Sequence, residues 1–328
     1  MKRLTRFLPD RFILFLLGAV LIASLVPAQG QGMVIFEWVT NLAVALLFFL
    51  HGARLSREAI IAGALHWRLH ATIFSVTFLI FPLIGLAFKP LLMPIVTPEL
   101  YSGILFLCCL PATVQSAIAL TSVARGNVPA AVCSASVSSL LGIFVTPLLV
   151  GLVIANAGAA PISFDAVVKI MVQLLLPFLL GQFLRRWIGE WVTARKKMLK
   201  FVDQGSILLV VYTAFSEAVN EGLWQTTPLK ALLGLVVCCI VILATVLWIS
   251  TLLGRVFGFE KADRITLLFA GSKKSLATGV PMAQVLFAGG SVGAVVLPLM
   301  LFHQIQLMVC AVLASRYARR PIDDASPH

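Results

Sequence analysis

Charge is what this chain has least of: Asp, Glu, Lys and Arg make up 12% of its 328 residues, and only 13 are acidic. A soluble domain carries about 25% charged residues. A water-facing surface cannot be built from this composition, in which hydrophobic residues reach 60%. Cys-x-x-Cys is absent, and no histidine stands near any of the six cysteines at metal-ligand spacing, which argues against a redox pair or a metal centre. The cysteines read as small apolar packing residues. There is no His-Glu-x-x-His and no Gly-x-x-x-x-Gly-Lys loop, so the features of a zinc hydrolase and of an ATP-driven pump are missing. No cofactor is expected.

What the chain does have is long apolar runs, interrupted by short basic stretches. The net charge of +12 would suggest nucleic acid if the basic residues formed a stripe on a soluble fold. Here they sit between apolar runs, so they read as topology signals and contacts with anionic lipid, and nucleic acid is not an expected partner. A hydrocarbon core about 30 Å thick needs about 20 apolar residues at 1.5 Å each. Ten segments meet or approach that length: 12–28, 33–50, 69–88, 101–123, 130–155, 166–184, 206–223, 229–257, 265–287 and 292–315. The expectation is an all-α polytopic membrane protein with ten transmembrane helices.

Orientation follows from the basic residues. With the N-terminus in the cytoplasm, only Lys89 and Lys230 of the 25 Lys and Arg fall in outer loops, while Lys169, Lys273 and Lys274 lie within or at the edge of spans. All the others, from Lys2, Arg3 and Arg6 through Arg57 to Arg320, are cytoplasmic. An even number of spans with both termini inside a bacterial inner membrane satisfies this. The first run, ending near Pro27-Ala28-Gln29-Gly30, also fits a cleaved signal peptide, but a repeat in the sequence needs it as a helix. The basic stretch 187–202 reads equally as an amphipathic surface helix or as a plain loop.

That repeat rests on two interrupted segments, each fourth in a set of five. One reads Leu110-Pro111-Ala112-Thr113-Val114-Gln115-Ser116 and the other Ala270-Gly271-Ser272-Lys273-Lys274-Ser275. Each precedes a helix with a late proline, Pro147 or Pro298. Five helices per half give the halves 1–156 and 157–328 opposite orientation, as in secondary transporters whose broken helices meet near the midplane. Irregular backbone at that depth is tolerated where it lines a water-filled cavity, so Thr113, Gln115, Ser116 and Ser275 are candidates for a solute site. Ser134, Ser136 and Ser138 on the following helix either line the path or permit close packing.

Lys273 and Lys274 are the sharpest feature. Each lysine at a helix centre costs about 2.5–3.5 kcal/mol, and the negative ends of half-helices, unwound carbonyls or a bound anion would offset that. Glu217 is expected to face an outer vestibule. His303, Gln304 and Gln306 are expected to hydrogen-bond between helices.

Three stretches resemble the bile acid:sodium symporter family, specifically its bacterial branch related to the vertebrate member-seven homologue. They are His51-Gly52-Ala53-Arg54-Leu55-Ser56-Arg57-Glu58-Ala59-Ile60, the stretch from Leu110 through Ala119, and Gly271-Ser272-Lys273-Lys274-Ser275-Leu276-Ala277. The resemblance implies a panel domain of helices one, two, six and seven and a core domain of helices three to five and eight to ten. It further implies a crossing of unwound helices four and nine, with two sodium ions behind it. Substrate would sit between panel and core, with alternating access by rocking.

The sodium-binding pattern departs from the family's. The Ser-Asn pair of helix four matches Gln115-Ser116, and the hydroxyls of helix five fall near Ala131 and Ala135. Phe269 stands for the acidic ligand of helix nine, with Lys273 and Lys274 for its Gln-Asn pair. The expectation is a transporter of a small organic anion or similar solute without family-type sodium coupling, proton coupling being left open. The alternative is a non-transporting membrane regulator or receptor with a transporter fold. An enzyme is not expected, since adjacent Lys274 and Ser275 cannot face each other on one helix.

Overall fold

The computed structural model describes residues 11–54, 66–156, 164–287 and 292–320, and among them every regular element is helical. Lys2, Arg3, Arg6, Arg57 and the 55–60 part of the first family stretch lie outside the described residues. The helices are α1 (Arg11–Leu25), α2 (Gly30–Arg54), α3 (Trp67–Ala87), α4 (Pro98–Cys109), α5 (Val114–Val123), α6 (Val128–Asn156) and α7 (Phe164–Ala194). They continue as α8 (Lys196–Asn220), α9 (Leu229–Val256), α10 (Lys261–Gly271), α11 (Leu276–Leu286) and α12 (Val292–Ala318). By length and apolar character, α2, α3, α6, α8, α9 and α12 can each cross a membrane, and α4 with α5 adds one more if that pair, bent by 63°, is a single span. Leu17 and Leu21 on α1, Trp38 and Leu42 on α2, Phe183 on α7 and Trp248 on α9 are more than half exposed. Such an apolar outer surface belongs in lipid.

The stretch 187–202 is neither a separate surface helix nor a loop. α7 runs through Ala194, the chain turns at Arg195, and α8 begins at Lys196. Hydropathy marks only the part of a helix that needs an apolar medium, so both helices extend beyond the runs 166–184 and 206–223. Arg186 lies 3.8 Å from the Trp187 ring and Arg195 4.7 Å from the Trp191 ring, the cation over aromatic face arrangement common at such ends.

The helices pack in two groups, α1, α2, α7 and α8 in one and α3–α6 with α9–α12 in the other. In the first group, α2 and α7 meet backbone to backbone. A Cβ on Gly52 would lie 2.0 Å from the Phe178 carbonyl oxygen, and one on Gly181 2.0 Å from that of Phe49. Small residues permit this approach in membrane helices. In the second group, α3 carries a π-helical turn at Val76–Ile80. There the Phe81 N–H reaches back to the Val76 oxygen. The next residue in that register is Pro82, which has no N–H to offer the Thr77 oxygen. One carbonyl in the middle of α3 is therefore left without a helical partner.

Candidate functional site

Both interruptions read in the sequence are breaks in the structure, and each has a local cause. A residue before proline is driven out of the helical region. Leu110 accordingly adopts φ −74°, ψ 155°, ending α4, and Thr113 at φ −76°, ψ 136° begins α5. In the other pair Ser272 (φ −88°, ψ 0°) ends α10, and the extended Ser275 starts α11 by accepting the Thr278 N–H on its hydroxyl at 3.3 Å. Gln115 and Ser116 thus occupy the first turn of α5 rather than the unwound segment.

The two breaks touch. The Ser275 N–H donates to the Pro111 carbonyl at 3.0 Å. Several of the freed backbone groups around them are taken up by side chains, as burial requires. The Ala112 N–H donates to Ser138 Oγ at 3.0 Å, and Thr146 Oγ1 donates to the Cys109 carbonyl at 2.9 Å. Gln306 Oε1 accepts the Lys274 N–H and its Nε2 donates to the Lys274 carbonyl, both at 2.9 Å.

Lys274 completes this arrangement with its side chain. It is fully buried, and its ammonium donates to the carbonyls of Thr77, Cys108 and Leu110 at 2.8, 2.8 and 2.7 Å. Thr77 is the residue whose oxygen the π-turn and Pro82 leave open. Cys108 and Leu110 supply the orphan carbonyls at the C-terminal end of α4, where the helix dipole is negative. The Phe81 ring closes over the ammonium, 4.1 Å from its centroid. Lys273 points elsewhere. It too is fully buried, its Nζ 5.8 Å from the Phe269 ring centroid. The Cys310 thiol is beside it, but no hydrogen bond to that nitrogen is closed. Phe269 and Cys310, the residues next to it, belong to a small apolar cluster with Ala124, Leu268 and Ala314.

A cavity of about 560 Å³ opens between the two helix groups. Thr113, Gln115 and Ser116 at the start of α5, Ser136 and Ser139 of α6, and Ser275 and Thr278 at the start of α11 line one wall. Thr113 and Ser116 hydrogen-bond to each other. The opposite wall carries Phe48, His51 and Arg54 of α2, Phe178 of α7, and Lys200 and Asp203 of α8. Two helix N-termini, those of α5 and α11, end on this space with the positive ends of their dipoles. Beside them, Thr278 Oγ1 is buried without a hydrogen-bond partner.

Of the residues singled out in the sequence, Thr113, Gln115, Ser116, Ser136 and Ser275 come together on the cavity wall. Ser134 and Ser138 do not. Ser134 Oγ is 2.6 Å from His70 Nδ1, and Ser138 is spent on the Ala112 N–H. Lys273 and Lys274 also stay off the wall. Sequence reasoning gave no cavity role to His51, Arg54, Lys200, Asp203 or His303. The only signal for the first two was the quoted stretch His51-Gly52-Ala53-Arg54. His303 lines the cavity and also receives a Gln306 N–H at its Nδ1, at 2.9 Å. The amide orientation of Gln306 is dictated by the Lys274 peptide, whose N–H can only donate and whose oxygen can only accept. The Gln306 N–H, at 2.9 Å, is the nearer partner and makes His303 Nδ1 an acceptor, while the Lys274 carbonyl oxygen lies farther off, 3.4 Å from the same nitrogen.

A family model described as the SBF-like CPA transporter family matches residues 10–319. The chain is 58% identical over 314 residues to an Escherichia coli protein named Putative symporter YfeH, covering 95% of this chain and 93% of that one. It is 67% identical over 321 residues to an uncharacterized protein of Pseudomonas aeruginosa, covering 98% and 96%. It is also 29% identical over 319 residues to the sodium/bile acid cotransporter 7 of Mus musculus, covering 95% and 94%.

Proposed function

Because this chain belongs to the SBF-like CPA transporter family, we propose that it is a secondary transporter carrying a small organic anion through the cavity by alternating access, without sodium coupling. The observation that carries this reading is the wall of the cavity. The N-termini of α5 and α11 and the unpartnered Thr278 hydroxyl meet there, opposite Arg54 and Lys200. Preformed N–H groups with a positive dipole favour an anionic group.

Absence of sodium coupling rests on Lys274. In a sodium-coupled relative, a bound cation would offset the negative helix end behind the crossing. Here a covalently attached ammonium does so, and a second cation would meet like-charge repulsion. In the same reading α1, α2, α7 and α8 form the panel. The core holds α3, the α4–α5 pair, α6, α9, the α10–α11 pair and α12. The halves 1–156 and 157–328 are then inverted five-helix repeats with both termini in the cytoplasm, embedded in the bacterial inner membrane.

Thermal stability of the purified protein, measured in sodium-free buffer against a panel of small carboxylates, sulfonates and phosphates, tests the anion site. At least one class is expected to raise the melting temperature, and Thr278→Val is expected to weaken that effect. Uptake of the stabilising anion against its gradient in proteoliposomes then separates a transporter from a regulator with the same fold. Binding without uptake under any imposed ion gradient would favour the regulator.

A further inference from the structure

We propose that His51, with Asp203 and Arg54 beside it, is a proton-binding site in the wall of the cavity. Its use as the site of the accompanying ion rests on the transport reading above, whereas the binding of the proton does not.

His51 lies in the last turn of α2, with Nδ1 2.7 Å from the Leu47 carbonyl oxygen. A carbonyl only accepts, so Nδ1 carries a hydrogen whatever the charge of the ring. In the neutral ring the bare lone pair is then on Nε2, on the side of the ring away from its own helix backbone. The residue lines the cavity. Water there can deliver a proton to Nε2, making an imidazolium with an N–H on each side. Return of the proton to water reverses the step.

Asp203 supplies the counter-charge. Its Oδ2 accepts from Arg54 Nη1 at 2.5 Å, while its Oδ1 is buried with no hydrogen-bond partner. A buried carboxylate oxygen without a donor costs about 1–3 kcal/mol or more. Asp203 and Arg54 line the same cavity as His51. Neutral His51, whose only N–H is turned to Leu47, has nothing to offer Oδ1. Protonated His51 has a second N–H on its far side.

The surroundings bring few competing groups. α8 contributes Lys200 as well as Asp203, and α1 contributes Phe12. α7 presents Phe178 to the cavity, while its Arg185, Arg186 and Glu190 line a separate groove. Across the space stands His303 of α12, whose Nδ1 is taken by Gln306. α5, α6 and α11 present no charged side chain to the cavity. Gly52 allows α7 to close against α2 between His51 and Arg54, which gives the His51-Gly52-Ala53-Arg54 stretch a role the anion site does not use.

The test is nitrogen-15 NMR of the full chain in lipid nanodiscs, with histidine labelled. Five histidines are present, and the His51 signal is the one lost in His51→Gln. At high pH it is expected to report the Nδ1–H tautomer, and as the pH falls it is expected to pass to the doubly protonated ring. Asp203→Asn is expected to weaken proton binding at His51 about tenfold or more, and Arg54→Gln to strengthen it. The two opposite shifts separate a charge effect from general loosening. A His51 that never protonates while the protein stays folded, or that ignores both variants, overturns the proposal and leaves the anion site standing. Failure to bind or carry any anion would leave the titration unchanged.

Discussion

The Lys274 ammonium lies 2.7 Å from the carbonyl oxygen of Leu110, 164 residues earlier in the chain. One side chain of the second break thereby satisfies the frayed end of the first. The bond from Ser275 to Pro111 joins the same two segments through the backbone. The crossing is held by groups that ordinary helices would have paired internally.

The two neighbouring lysines should therefore respond in opposite ways. Lys274→Met leaves the Thr77, Cys108 and Leu110 oxygens without their donor and is expected to destabilise the protein by about 3 kcal/mol or more. Lys273→Met removes a buried amine that has no hydrogen bond from apolar surroundings. It is expected to be neutral or stabilising, as when other buried charges are replaced by apolar side chains. Thermal unfolding of the two variants in one detergent decides it. Equal losses would mean that Lys273 has a structural partner.

Sodium should have no specific effect. The melting temperature of the wild-type protein is expected to be the same in sodium chloride and choline chloride at equal ionic strength. The double change Lys273→Gln, Lys274→Asn leaves Phe269 where an acidic ligand would be needed, so it is expected to weaken the fold without creating sodium dependence. A saturable sodium response of the unmodified protein would sink the substitution of lysine for sodium.

Accessibility should divide the serines and their neighbours. In a background without the six native cysteines, Gln115→Cys is expected to react readily with a small polar thiol reagent, because Gln115 is exposed on the cavity wall. Ser134→Cys and Ser138→Cys are expected to be inert, both positions being fully buried. Fast labelling at Ser134 would show that water reaches behind α6.

The α2–α7 contact should tolerate no added methyl. Gly52→Ala and Gly181→Ala each place a Cβ 2.0 Å from a backbone oxygen and are expected to cost about 1–3 kcal/mol or more. Gly18→Ala, with nothing within 4 Å, serves as the control and is expected to be harmless. Melting temperatures of the three variants make the comparison.

Much of the architecture was legible in the order of residues. Apolar runs announce helices because lipid offers backbone groups no partner. Leu110-Pro111 announces a break because proline constrains the residue before it. The helix ends were less legible: polar residues beyond the bilayer prolong α7 and α8 without any apolar signal. The cavity wall was half legible. Gln115 and Ser116 follow a break visible in sequence, whereas Lys200 sits in the basic stretch 187–202 and Asp203 just after it, where the neighbours give no hint of a cavity.

Composition and pattern alone determined that this chain is helical, belongs in a membrane and interrupts two of its helices, because those properties depend on local chemistry and on the solvent. Tertiary structure alone decided the fates of the two lysines, which are adjacent in sequence and flanked by the same residues. Residues next to each other at a helix break point in different directions. One therefore meets the open carbonyls of α3 and α4 and the other meets Phe269 and Cys310.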